Sequence, residues 1–194
     1  MSADADGVQR LRRLLREGGG LMATLVEDAR ELAAGGIVNG ASREAKDGGR
    51  SATPAQLAAS GPRARARGED YELLIEAIYE GYLLHYATPR AVRVPEADLR
   101  LLAGDRLYAI GLSQLVEIGD VLAVAELADT ITLSALAHGS GRPELAEATW
   151  AAAARAVGWG PTPDHRRAKE MVLEGDPQAL EAMRTCARPV PASP

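Results

Sequence analysis

Between Leu101 and His138 the chain carries two runs that are apolar on more than one side, parted by Gly119-Asp120. No other stretch limits the fold as much. Leu99, Leu101, Leu102, Leu107, Tyr108, Ile110, Leu112, Leu115 and Val116 surround one helical cylinder. A helix apolar all round belongs in a core, so the spacing predicts a buried central helix over 95–118. Gly119 is a helix stop and Asp120 a cap for the next helix. Val121, Val124, Ala128, Ile131 and Ala135 then make a second stripe, ended by Gly139-Ser140-Gly141. Gly104 and Gly111, seven apart, share a face of the first helix. Each glycine costs a helix about 1 kcal/mol relative to alanine, so the pair predicts a close approach of another helix, within the chain or across a dimer.

The remaining elements follow from glycine and proline punctuation. Val8–Glu17 reads as a short basic helix, broken by Gly18-Gly19-Gly20, and Leu21–Ala34 as a second, ended by Gly35-Gly36. Residues 39–68 hold Gly40, Gly48, Gly49, Pro54, Gly61, Pro62 and Gly68, the composition of a mobile linker, with one helical turn at Pro54–Ala59. Asp70 is positioned to cap a helix with the stripe Tyr71, Leu74, Ile75, Ile78, Tyr82 and His85, stopped by Thr88-Pro89. Pro95 opens the central helix. Pro143 starts a helix that Gly158 would cap, Thr162-Pro163 starts another, and Asp176-Pro177 the last, through Ala187. The expected organisation is an N-terminal helical arm (1–38), a flexible linker (39–68), an all-α core domain (69–187) and a disordered tail (188–194).

Composition excludes several classes. Alanine and leucine dominate, phenylalanine is absent and strand-like alternation is missing, which points to an all-α fold. A net charge of -5 carries no nucleic-acid signature. Cys186 is alone, so no internal disulfide forms. Charges at Asp4, Asp6, Arg10, Arg12 and Arg13 argue against a signal peptide, and no uninterrupted apolar run reaches spanning length. A cytoplasmic protein without a transmembrane segment is expected.

Glu72, Glu76 and Glu80 sit four apart on one helix face. Such a ladder can hold a divalent cation through carboxylate oxygens; the plainer reading is a solvated acidic face opposite the tyrosine stripe. Asp105 lies among leucines and predicts a partly buried carboxylate, paired between helices with Arg90, Arg93 or Arg155, or else a functional acid. His85, His138 and His165 share no metal-ligand spacing, and Cys186 has no nucleophile signature.

The run Leu101-Leu102-Ala103-Gly104-Asp105-x-Leu107, then Gly119-Asp120 and a long alanine- and leucine-rich helix, resembles the polyprenyl (isoprenoid) diphosphate synthase family. Upstream, His85-Tyr86-Ala87-Thr88-Pro89-Arg90 lies where that family has a basic segment containing glycine and proline. The likeness spans Asp70 to about Gly141 and implies a helical bundle resembling part of the isoprenoid synthase fold. The family binds diphosphates through magnesium held by two aspartate-rich motifs, and this chain has neither, so no catalytic or cofactor-binding residue carries over.

The resemblance therefore implies an accessory or regulatory subunit of a prenyl synthase, in isoprenoid or quinone side-chain synthesis. Its partner would be a catalytic synthase subunit, or a second copy in a homodimer, met through Gly104 and Gly111. A different class of function is a helical interaction or scaffolding module using the N-terminal arm. An enzyme would need Glu72, Glu76 and Glu80 to replace the missing aspartates; only then is a cofactor, Mg2+, expected.

Overall fold

The computed structural model describes residues 3–26 and 52–188, and among these residues every regular element is a helix. In chain order they are α1 (Ala3–Gly18), α2 (20–26), α3 (Pro54–Ser60), a 3-10 turn at Arg65–Arg67, α4 (Gly68–Tyr86), α5 (Ala97–Ile118), α6 (Val121–Gly139), α7 (Pro143–Trp159), α8 (Pro163–Leu173) and α9 (Ala179–Ala187). The predicted start of the second helix is present, while its end at Gly35-Gly36, residues 39–51 and the tail beyond Arg188 lie outside the described residues.

Several boundaries follow from local chemistry. Gly119 takes φ +88° and the Asp120 carboxylate accepts the Ala123 N–H, so stop and cap fall where expected. Thr162 caps α8 through the His165 N–H. Pro143 occupies the first turn of α7. Two glycine and acid assignments change. Asp70 is not the cap of α4, which begins two residues earlier, and Asp70 instead pairs with Arg67. Gly158 lies inside α7, which runs on to Trp159.

The central helix is α4, not α5. It buries Tyr71, Leu74, Ile75, Ile78 and Tyr82 toward a core shared with α3, α6, α7 and α9, around a fully buried Trp150. Its other side gives Ala77 and Leu84 to a second core, with Leu11 and Leu15 of α1, Met22 and Val26 of α2, Val92 and Val94 of the following loop, and Ala103 and Leu107 of α5. By contrast α5 buries only Ala103, Gly104, Leu107, Gly111 and Leu115, while Leu101 is 50% and Leu102 64% exposed.

The buried strip of α5 is where its small residues lie. A Cβ on Gly111 would sit 2.4 Å from Ile78 Cγ1 and 2.8 Å from the Leu74 carbonyl oxygen, and one on Gly104 would meet the His85 ring at 2.5 Å. Gly81 of α4 faces the Gly104 carbonyl oxygen at a would-be 2.9 Å. The close approach predicted from Gly104 and Gly111 is thus with α4 of the same chain.

The N-terminal arm is not free. Leu11 and Val26 are fully buried, and Arg12 donates to the carbonyl oxygens of Ala91 and Arg90 at 3.0 and 2.7 Å. Nor is the second half of 39–68 a linker. Thr53 and Gln56 form a capping box, with the Gln56 N–H donating to the Thr53 hydroxyl and the Thr53 N–H to the Gln56 side chain. The helix they start, α3, buries Ala55 and Ala58 against α4 and α7. Its end is sealed by two glycines: a Cβ on Gly61 would lie 2.3 Å from the Gly158 carbonyl group.

Candidate functional site

The acidic ladder on α4 is neither a solvated face nor an open metal site. Glu76 is 2% and Glu80 0% exposed. Glu72 pairs with Arg10 of α1, and Glu76 pairs with Arg90. One Glu80 oxygen accepts the backbone N–H groups of Arg90, Ala91 and Val92 at 2.7, 2.6 and 3.2 Å, and the other lies 3.9 Å from Arg90 Nε. Burial pushes the Glu80 carboxyl above its ordinary value, opposed by those three N–H groups and Arg90. Among the described residues no three His, Cys, Asp or Glu side chains are grouped to hold a metal. The ladder holds the loop 87–95 against α4.

Two further acidic nodes follow, of which Glu126 had no local signature in the sequence and Asp120 was legible only as a cap. Glu126 of α6 is 5% exposed. It accepts from His165 Nε2 at 2.9 Å and from Lys169 Nζ at 3.1 Å, and Lys169 also reaches Asp129 at 2.6 Å. Burial raises the Glu126 carboxyl, but His165 and Lys169 outweigh it and hold it below the ordinary value. Burial lowers the Lys169 ammonium, and Asp129 with Glu126 overcomes that and raises it. The buried Nδ1 of His165 has no hydrogen-bond partner. The second node is Asp120, which accepts from Arg63 at 3.0 Å and from the Tyr71 hydroxyl at 2.7 Å besides capping α6. Burial pushes Asp120 up, and Tyr71, Ala123 and Arg63 together bring it below the ordinary value. Burial and that same carboxylate drive Tyr71 up to about 12.

Asp105 is not buried. Its side chain is 70% exposed and faces His85 Nε2 at 3.2 Å rather than an arginine. His85 belongs to an aromatic ladder along the end of α4. Its ring stacks on Tyr108 at 5.3 Å, Tyr86 stacks on His138 at 4.3 Å, and the Tyr82 hydroxyl is 3.0 Å from His138 Nε2. Burial first, then the neighbouring Tyr79, Glu147 and Tyr86, pushes the Tyr82 phenol up to about 12. The ladder packs the end of α4 against α5 and α6. Cys186 is half-buried and its thiol is pushed up by burial and by Asp164, the wrong direction for a nucleophile.

Among the described residues, several exposed apolar side chains lie on the outer sides of α5 and α6. Leu101 and Val116 of α5, and Val121 at 72%, Leu122 and Leu136 of α6, are exposed. Between them α6 presents Ala125, Ala128 and Thr132. The two acids of α6 are both engaged with α8. By length and composition α6 could cross a membrane, with a mean hydropathy of 1.4. Here, however, it packs on α7 and α8, with Glu126, Thr130 and Ser134 on its buried side. Set against family models, characterised proteins and solved structures, the chain matches none.

Proposed function

We propose that this protein is a helical interaction module whose α5–α6 hairpin docks a second copy of itself. The observation that carries the reading is the run of large apolar side chains left in water on this one face, headed by Val121 and Val116 at 72% and 59% exposure. Contiguous apolar surface of this kind marks interaction sites.

Size and charge support a second copy as the occupant. A 19-residue helix is about 28 Å long, so α6 offers a second copy about five turns to pair along. A twofold axis sets a surface against itself, so a self-pairing face must lack like charges at its centre. The middle of its α6 part is Ala125, Ala128 and Thr132, small residues that let helices approach closely, and two exposed carboxylates of these helices, Asp105 and Asp129, face His85 and Lys169. The synthase-subunit reading loses the surface it relied on, because Gly104 and Gly111 are already covered by α4.

Sedimentation velocity on the full chain tests the proposal. Wild type is expected to dimerise at micromolar concentrations. Val121→Glu and Ala128→Glu are expected to sediment as monomers with unchanged circular dichroism, because both positions face solvent. A wild-type monomer across that range would overturn the self-pairing reading, as would variants that still dimerise.

A further inference from the structure

A second opening lies on the opposite flank of α5, where the Gly18-Gly19-Gly20 elbow joins α1 to α2. The space is about 530 Å3, within the roughly 300–1,000 Å3 usual for small-molecule sites. Leu14, Leu15 and Met22 form one wall, and Leu102 and Ile110 of α5 the other. The elbow has room to spare: Gly19 and Gly20 both take φ +65°, and a Cβ on any of the three glycines would touch nothing within 4 Å.

Two polar side chains break the apolar lining, Arg106 and Gln114, both on α5. They are eight residues apart, about 12 Å along the helix, with Ile110 between them. Among the described residues Arg106 is the only charged side chain lining the space, and no carboxylate pairs with it there. Arg10, Arg63 and Arg90, by contrast, are paired with carboxylates. An apolar cleft with one unengaged guanidinium at its edge matches an apolar chain ending in one negative charge.

We propose that the cleft between the α1–α2 elbow and α5 binds a single-chain amphiphile with a carboxylate head. The chain lies along Leu14, Leu15, Met22 and Ile110, and the head meets Arg106. A neutral or cationic head gains nothing from Arg106 and binds more weakly.

Isothermal titration of the full-length protein with dodecanoate, below its micelle concentration, tests this. Saturable one-to-one binding is expected. Arg106→Glu should weaken it about tenfold or more. Ile110→Trp, which fills the cleft, should abolish it, with unchanged circular dichroism in both variants. Arg184→Glu, a reversal at an exposed arginine on α9, should leave it unaltered. Dodecanol and dodecyltrimethylammonium should bind much more weakly than dodecanoate. The proposal is overturned by the absence of saturable binding, by binding that survives Arg106→Glu, or by equal affinity for the ammonium. Binding of dodecyl phosphate while dodecanoate is refused would overturn the carboxylate assignment.

Discussion

Helices α4 and α5 lie side by side and exchange the roles their sequences suggest. On α4 Glu76 and Glu80 are hidden, while on α5 Leu101 and Leu102 stand in water. Hydrophobicity by itself would rank them the other way. A buried carboxylate is tolerable when donors are built around it, and Glu80 has three backbone N–H groups besides Arg90. An exposed leucine is tolerable on any surface. What assigned the inner face of α5 was shape, because only Gly104 and Gly111 let its backbone settle on α4.

The largest effect should come from removing the acid that makes α4 central. Glu80→Ala leaves three buried N–H groups without their acceptor, and breaking such an arrangement typically costs about 3–5 kcal/mol. Against a total of about 5–15 kcal/mol for a domain, this is a large share. Urea denaturation should show it; a loss below about 1 kcal/mol would mean that the loop 87–95 is held by something else.

Gly111→Val comes next. Its side chain collides with Ile78 and with the Leu74 carbonyl oxygen, which is backbone and cannot rotate away. Overpacking of this kind costs about 1–3 kcal/mol, only partly offset by the better helix propensity of valine. Gly119, also in a glycine-marked position, shows the contrast. A Cβ there meets no neighbour, and a change to alanine is penalised by its φ of +88° rather than by collision.

A smaller effect appears in the pH dependence, and its sign separates two buried glutamates. Glu126 has a lowered pKa, so its contribution is present above its unfolded value near 4.3 and fades as pH falls. Glu80 has a raised pKa, so its contribution is full below the unfolded value and fades as pH rises through the folded one. Relative to wild type, Glu126→Gln should therefore lose its penalty in acid, and Glu80→Gln should lose part of its penalty toward neutral pH. Thermal melts between pH 3 and 7 would show the opposite slopes, and parallel slopes would undo the distinction.

The smallest effect belongs to Asp105→Ala. An exposed carboxylate facing His85 contributes little, within about 0.5 kcal/mol. A melting temperature that collapses on this change would restore the buried role expected of it.

Element ends were legible because their signals are local. Gly119-Asp120, Pro143 and Thr162-Pro163 act through the residues beside them. Partners were not legible, because they lie far along the chain. Glu76 and Glu80 have the spacing of a solvated face until Arg90 folds back over them. Asp105 sits in a leucine-rich run of which Leu101 and Leu102 are themselves exposed. Residues 52–68 have linker composition, yet the Thr53 and Gln56 pair was a helix-start signal that the abundance of glycine and proline obscured. The small residues of α5 marked its buried strip better than its large ones did. The uncovered face and the elbow cleft had no sequence signature, since both are made by what neighbouring helices fail to cover.

The contact between Gly61 and Gly158 has a consequence in time. Arg63 donates from its backbone to the Gly158 carbonyl oxygen at 3.0 Å and from its side chain to that of Val157 at 2.6 Å. On a ribosome adding about 5–20 residues per second, α3 emerges several seconds before the helix it must rest on. During that delay its seat on α4 lacks the α7 surface that completes it, and the nascent chain has apolar surface waiting for a later segment. Contacts so distant in sequence slow folding and lengthen the exposure of such surface. The arrival of α7 thus decides when α3 stops being vulnerable to chaperones, proteases and its own copies.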